Sequence, residues 1–472
     1  MILKKSFILI SLITSMSVLT AQELSNLSLE SALNIMKNSN LELKISKFNE
    51  QMKIHEANVA TGHKYGKLDL QLQALRSNDA GNVFGFKLKS REASYGDFGF
   101  SEFLTPLGDA IDDAAQDIRP DDMSGLLNTE PSDLNYPNTR NHFQTKLTYM
   151  VPLYTGGQLD QYQKITNSLI HMSQLDTEKI LNEKIFQTTK TFYDISLIEQ
   201  YINNLSSIVS NIDKLEEIVR SMKEEGFAKE IDELEVQARR SEAQSMLSQA
   251  NYNKELAYQY LSFLLNNSVT SIQTLDNLAP MPVVNQDKLQ SSNLDIKKAE
   301  LGLQITDMAI DLEKSKYKPT VGAFGEYSTA DNTPLNSLME KDSYTIGVQL
   351  EWNLFNGGID KENMAKAMIE NMKVKDQVQL AKAGISLQVK KLTTNIKSKD
   401  AEIESLETQY SFAEKVYENY EGRYQEGISS ISDVLIKQSK ELEVLLKLLT
   451  AKNDRNAKVF ELTSILNMGE NS

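Results

Sequence analysis

Four histidines, His55, His63, His142 and His171, are the only imidazoles in the chain. None has a partner at the i, i+4 spacing that would place two metal ligands on one helix face. There is no cysteine. This removes thiolate catalysis, cysteine-based metal sites, a disulfide framework and lipid attachment through an N-terminal cysteine. The glycine pairs Gly156-Gly157 and Gly357-Gly358 follow strand-like stretches but lack the rest of a phosphate-binding pattern. No nucleophile elbow is present. An enzyme assignment therefore has no residues to stand on, and no cofactor or metal is implied. What remains is a pair of carboxylates. Asp232 lies six positions past Gly226, and Asp433 six past Gly427. An aspartate just beyond a glycine turn suits the N-terminus of the following helix, where backbone N–H groups need acceptors.

The elements that position these carboxylates occur twice. Met150-Val151-Pro152-Leu153-Tyr154-Thr155-Gly156-Gly157 opens a long proline-free run that breaks at Glu225-Gly226-Phe227. Leu350-Glu351-Trp352-Asn353-Leu354-Phe355-Asn356-Gly357-Gly358 opens a second run, which breaks at Glu426-Gly427-Ile428. Gly157 to Gly226 spans 69 positions, as does Gly358 to Gly427, and the two copies are offset by 201. Equal length in both copies makes length the specified quantity. At 1.5 Å per residue such a helix is roughly 100 Å long. Within the runs, Ile198, Tyr201, Leu205, Ile208, Ile212, Leu215, Val219 and Met222 alternate spacings of three and four. Leu392, Ile396, Ile403, Leu406, Tyr410, Ala413, Tyr417, Tyr420 and Tyr424 rebuild the pattern in the second copy. A 3.5-residue period is that of a left-handed coiled coil. Each run then returns, through Leu234, Ala238, Leu247 and Leu256 or through Val434, Leu442, Leu445 and Leu449.

In chain order, residues 1–21 are expected to be a signal peptide, with Lys4 and Lys5 before an apolar core and Leu19-Thr20-Ala21 at its end. Residues 22–277 form a first repeat. Its opening helix is expected to start with Ser28 as a cap and to run through Leu41, Leu43 and Ile45 to about His63. Strands follow at about 67–76 and 143–152, then a helical hairpin over 157–266. Between the strands, residues 77–141 are rich in Gly, Asp, Asn and Pro and read as a long surface loop with a short helix near Leu107 to Gln116. The loop is an insertion. Lys64-Tyr65 matches Lys316-Tyr317 at an offset of 252 against 201 further on, so the first hairpin has 51 extra residues. A linker at 278–288 precedes the second repeat, 289–472, with a helix at about Leu289 to Leu312, strands at about 320–328 and 343–352, and a helical hairpin over 358–468. Tyr344, Ile346, Val348, Leu350 and Trp352 alternate with Thr345, Gly347, Gln349 and Glu351. Such strands suit a barrel with a lipid-facing outside and a wet inside; a soluble sheet edge gives the same alternation.

The formal net charge of −15 becomes −17 once Lys4 and Lys5 leave with the signal. That argues against a nucleic-acid partner. If the protein encloses a passage, it favours cations there; solvated acidic helix surfaces account for most of the charge without one. No stretch after the signal is long and apolar enough for a helical membrane span.

Taken together, Leu27-Ser28-Leu29-Glu30-Ser31-Ala32-Leu33, the two strand ends closing in Gly-Gly, and Tyr424-Gln425-Glu426-Gly427 followed by Asp433-Val434-Leu435 resemble the TolC-like outer-membrane efflux proteins, over essentially the whole mature chain. The resemblance implies a fold that is mainly α with a membrane β-barrel: a homotrimer whose chains share one twelve-stranded barrel, continued by an α-helical periplasmic tunnel. A shared barrel also follows from physics, since four strands cannot close alone and open edges cannot face lipid. The resemblance further implies an outer-membrane channel, or exit duct, of a tripartite efflux or type I secretion system. It would conduct passively what an inner-membrane transporter and a periplasmic adaptor deliver. Gly226, Phe227, Gly427 and Ile428 match the family's periplasmic tips, where the adaptor docks. Asp232 and Asp433 match the carboxylates that narrow the closed end, a role that can coexist with capping, and Tyr424 matches a gate tyrosine. The chain departs from the pattern where Ser429 stands for a basic gate residue and Ile436 for a second aspartate. That leaves the closing contacts, the substrate and the transporter class unread. A non-pore periplasmic coiled-coil adaptor is the alternative; it would keep the heptads and tips without needing amphipathic strands.

Overall fold

The computed structural model describes residues 23–113, 125–275, 277–334 and 340–467. The signal-peptide stretch, 1–21, and the end of the expected helix at Leu107 to Gln116 lie outside them. Backbone contacts divide the chain into two units, one of Met1–Met52, Ile170–Leu303 and Lys373–Ser472, the other of Lys53–Leu169 and Gln304–Met372.

The second unit is built on one antiparallel sheet of four strands in the order β1-β2-β3-β4. These are β1, Lys67–Ser77, β2, Arg140–Tyr154, β3, Thr320–Asp331, and β4, Asp342–Glu351. Register places Leu70 opposite Leu147, Leu147 opposite Tyr327, and Tyr327 opposite Tyr344. The next apolar row is Leu68, Tyr149, Gly325 and Ile346. Because side chains alternate, the opposite face holds Asp69, Thr148, Glu326 and Thr345, and Lys146 bridges Glu326 there at 2.5 Å. The outer edges of β1 and β4 have no strand partner among the described residues.

The first unit is helical. Helix α1, Leu29–Ser39, is capped by Ser28, whose side chain accepts from Ser31 N. The expected single helix to His63 is two, because the chain breaks at Asn40 and restarts as α2, Leu41–Gly62. Asn40 is nearly fully buried, accepts from Leu43 N at 3.0 Å as a cap, and donates its Nδ2 to Leu264 O at 2.9 Å. The expected helix over Leu289 to Leu312 breaks in the same way at Asn293, which accepts from Ile296 N at 3.0 Å and donates to Ile465 O at 2.9 Å. Each asparagine satisfies a helix N-terminus and the last carbonyls of a long hairpin together.

The first hairpin is α5, Gln158–Glu224, and α6, Glu230–Leu265; the second is α8, Ile359–Gln425, and α9, Ile431–Ile465. Helices α3, Ala80–Lys89, and α4, Phe100–Asp113, precede them, with α7, Leu294–Ser315, between the hairpins. Both α5 and α8 have 67 residues. Leu205, Ile208, Ile212, Leu215 and Val219 from the first heptad pack with Tyr417, Tyr424, Val434, Leu442 and Leu445 in one core.

Candidate functional site

The two hairpin tips have the same backbone. Gly226 N bonds Lys223 O at 3.0 Å and Phe227 N bonds Met222 O at 2.7 Å. In the second tip Gly427 N bonds Tyr424 O and Ile428 N bonds Arg423 O, both at 2.8 Å. This pattern ends a helix in a left-handed residue, and φ is +83° at Gly226 and +74° at Gly427. It leaves Phe227 and Ile428, 76% and 60% exposed, as the outermost apolar side chains of the turns. Gly156, Gly157, Gly357 and Gly358 are also left-handed, at the strand-to-helix turns.

Both aspartates sit in the first turn of the returning helix and bond its N-terminus. Asp232 accepts from Lys229 N at 2.8 Å. Asp433 accepts from the Ser430 hydroxyl at 2.6 Å, while Ser430 Oγ accepts from Asp433 N at 3.2 Å. The Ser430 bonds hold the Asp433 carboxyl below the usual carboxylate range. Tyr424 is buried with its hydroxyl unpartnered; burial, and then the Asp232 carboxylate, push that hydroxyl up. The structure thus brings Tyr424 of the second hairpin toward Asp232 of the first. At the two departures, Ser429 donates to Tyr420 O at 3.1 Å within its own hairpin, and Ile436 is exposed. A bond between the hairpins comes from Ser432, which donates to Glu235 Oε2 at 2.7 Å.

Above the tip lies a group that sequence reasoning missed. Gln438 and Glu441 of α9 are 1% and 6% exposed, and Tyr417 of α8 is 4% exposed. Glu441 Oε2 has no hydrogen-bond partner, and the buried Tyr417 hydroxyl and Gln438 amide have only each other to face. Burial, with the negative charges of Glu414, Glu418 and Glu421, pushes Glu441 up to about 7. Burial raises Glu421 as well, opposed by Lys214 of α5. A signal for this layer was available, since Gln438 and Glu441 fall on the apolar stripe of Val434, Leu442 and Leu445. Among the described residues, no cluster of acidic or histidine side chains could hold a metal ion, and no helix is long and apolar enough to cross a membrane.

Residues 286–468 match the family described as Outer membrane efflux protein. That part of the chain is an outer membrane efflux domain. Over 93% of its length the chain has the fold of solved outer membrane channels. CusC aligns at a TM-score of 0.74 and 14% identity, covering 93% of this chain and 91% of that one. The Campylobacter jejuni CmeC outer membrane channel aligns at 0.74 and 15%, covering 93% and 86%. The open state of the Neisseria gonorrhoeae MtrE channel aligns at 0.72 and 13%, covering 93% and 88%. No curated protein matches the chain in sequence. The TolC-like resemblance holds. The matched family is one of outer membrane proteins, and the solved structures that share the fold are channels rather than enzymes.

Proposed function

We propose that this efflux protein is the passive exit duct of a tripartite efflux or type I secretion assembly, formed by three copies that share one barrel of twelve strands. The observation that carries the reading is the sheet. One face carries an apolar band of three rows, from Val151, Ala323 and Val348 to Leu70, Leu147, Tyr327 and Tyr344, the other face is polar, and two edges are open. An apolar face of this size is stable against lipid, and lipid tolerates no unpaired edge, so β1 of one copy would pair with β4 of the next. A periplasmic adaptor scaffold has no use for such a face.

Energy would come from an inner-membrane transporter, and a periplasmic adaptor would dock at Phe227 and Ile428. Asp232, Asp433 and Tyr424 would form the periplasmic constriction, with the carboxylates selecting for cations. Opening would be a repacking of the two helical hairpins between discrete arrangements. Their separation requires breaking the Ser432–Glu235 bond, and the buried polar layer of Tyr417, Gln438 and Glu441, with its unpartnered carboxylate oxygen, weakens the packing beside it. Reconstitution into planar bilayers tests the reading. Discrete conductance steps with a preference for cations are expected; no conductance from a correctly assembled, membrane-inserted oligomer would reject it.

A further inference from the structure

We propose that the segment from Ala80 to Glu92, within the insertion of the first β-hairpin, is a lid seated on the inner, polar face of the barrel, closing its outer mouth. The inference rests on the channel reading above and concerns one unit of the chain alone. On the polar face of the sheet, burial differs between the two ends. Met150 and Thr148, near the strand ends that lead into the helices, are exposed or half-buried. His142, Ser328 and Ala330, on the same face at the far end, are buried. What covers them is α3. Its Val83 and Phe86 are buried, and the Phe86 ring stacks on the His142 imidazole at 4.1 Å between centroids and 5° between planes.

A chain of charges fixes the end of the segment to the strands. Glu92 pairs with Arg140 at the start of β2 and with Lys341 just before β4, and Lys341 also pairs with Asp331 at the end of β3, at 3.0 Å. Three strands are thereby tied to one carboxylate of the insertion. In the barrel reading these strand ends are opposite the ends that lead into the helices, and the polar face is the wet interior. A segment on that face at that end stands in the path of anything leaving the duct. Its seat is small: the buried side chains of Val83, Phe86 and Ser90, a bond from Arg140 to Ser90 Oγ at 3.4 Å, and one ionic chain, under a helix of 10 residues. A short helix held by so few contacts is drawn from the low-stability end of a structure, which suits a part that must move aside.

Because the chain has no cysteine, accessibility can be read one residue at a time. Thr148→Cys places a thiol on the polar face inward of the lid, and Leu147→Cys places one on the apolar face beside it. Intact cells would be treated with a bulky, membrane-impermeant maleimide. Releasing the lid with Phe86→Ala and Glu92→Gln is expected to speed labelling of Thr148→Cys by about tenfold or more, because a buried aromatic anchor and its ionic tie are both lost. Should that double variant fail to reach the membrane, Phe86→Ala alone is expected to give a smaller increase. Equal rates with the lid intact and released, in trimers that otherwise behave alike, overturn the lid and leave the channel standing. Leu147→Cys reacting as fast as Thr148→Cys would mean water on both faces, which overturns the barrel reading and the lid with it.

Discussion

The two helical hairpins share a length and a turn, yet at matching positions the first carries Gln237 and Arg240 exposed beside a buried Glu216, whereas the second buries all three side chains. At the offset of 201, Glu216, Gln237 and Arg240 of the first hairpin correspond to Tyr417, Gln438 and Glu441 of the second. In the first, Gln237 donates to Glu216 Oε1 at 3.2 Å, Arg220 donates to the same carboxylate at 3.3 Å, and Arg240 pairs with Asp213. Lys223 pairs with Glu233 at 2.8 Å beside them. Every one of these side chains has a partner of opposite sign or a hydrogen bond. In the second, the glutamine is retained, the arginine has become a glutamate and the glutamate a tyrosine. The Glu441 carboxyl at its centre has an unpartnered oxygen and faces the negative charges of Glu414, Glu418 and Glu421. Unpaired buried polar groups cost far more than paired ones return. The comparison teaches that burying an unpaired carboxylate costs the second hairpin stability at a layer where the first keeps its charges paired and wet.

The largest expected effect follows from the Glu441 carboxyl. Its value in the packed state is raised, to about 7 from an ordinary 4.5. Packing therefore favours the protonated form. The penalty for ionisation is absent below about pH 4.5, grows between 4.5 and 7, and is complete above. A shift of this size corresponds to about 3 kcal/mol. Glu441→Gln should remove the penalty, raising the thermal midpoint at pH 8 while leaving it unchanged at pH 4. Calorimetry at the two pH values checks this, and an equal gain at both would mean that the carboxyl is not the cause.

A smaller effect is expected where the copies agree. Asn40 and Asn293 make the same pair of bonds, a cap to the following helix and a donor to the end of a hairpin. Asn40→Ala and Asn293→Ala should each cost about 2 kcal/mol, to within experimental scatter of one another. Denaturant unfolding of the two variants sharpens the comparison, since unequal losses would show that the repeat is not energetically symmetric here. The smallest effect belongs to Arg240→Ala. Its guanidinium is half exposed, so loss of the Asp213 pair should cost no more than about 1 kcal/mol.

Selectivity compares the two tips directly. Asp433 is held by a serine hydroxyl and Asp232 by a backbone N–H alone. Asp433→Ala is expected to lower the preference for cations in bilayer recordings. Unchanged selectivity would leave the aspartate with its capping role only.

Much of this molecule was legible in its residues because the signals were periodic. The heptads through Leu205 to Val219, the alternation from Tyr344 to Trp352 and the glycines at the tips each impose a local geometry that tertiary packing does not overrule. The helix breaks at Asn40 and Asn293 were not legible. Asparagine in a helical pattern is unremarkable until a carbonyl from a hairpin end, more than 170 residues away, is placed against it. The insertion was hidden for a related reason. Its composition reads as loop, and the burial of Val83 and Phe86 depends on a sheet face supplied by strands that flank it and by strands far along the chain. The tip residues were found by position, whereas Gln438 and Glu441 needed the opposite reasoning, a polar pair where the stripe demands apolar side chains.

The most direct test of the central claim, that several copies of this sheet close one barrel in lipid, is the mass of the intact assembly after detergent extraction from outer membranes. The account predicts a particle of three chains that requires detergent to stay in solution. A monomer or dimer of the mature chain that is soluble without detergent would contradict it, because the apolar face and the open edges of β1 and β4 would then have to be satisfied in water.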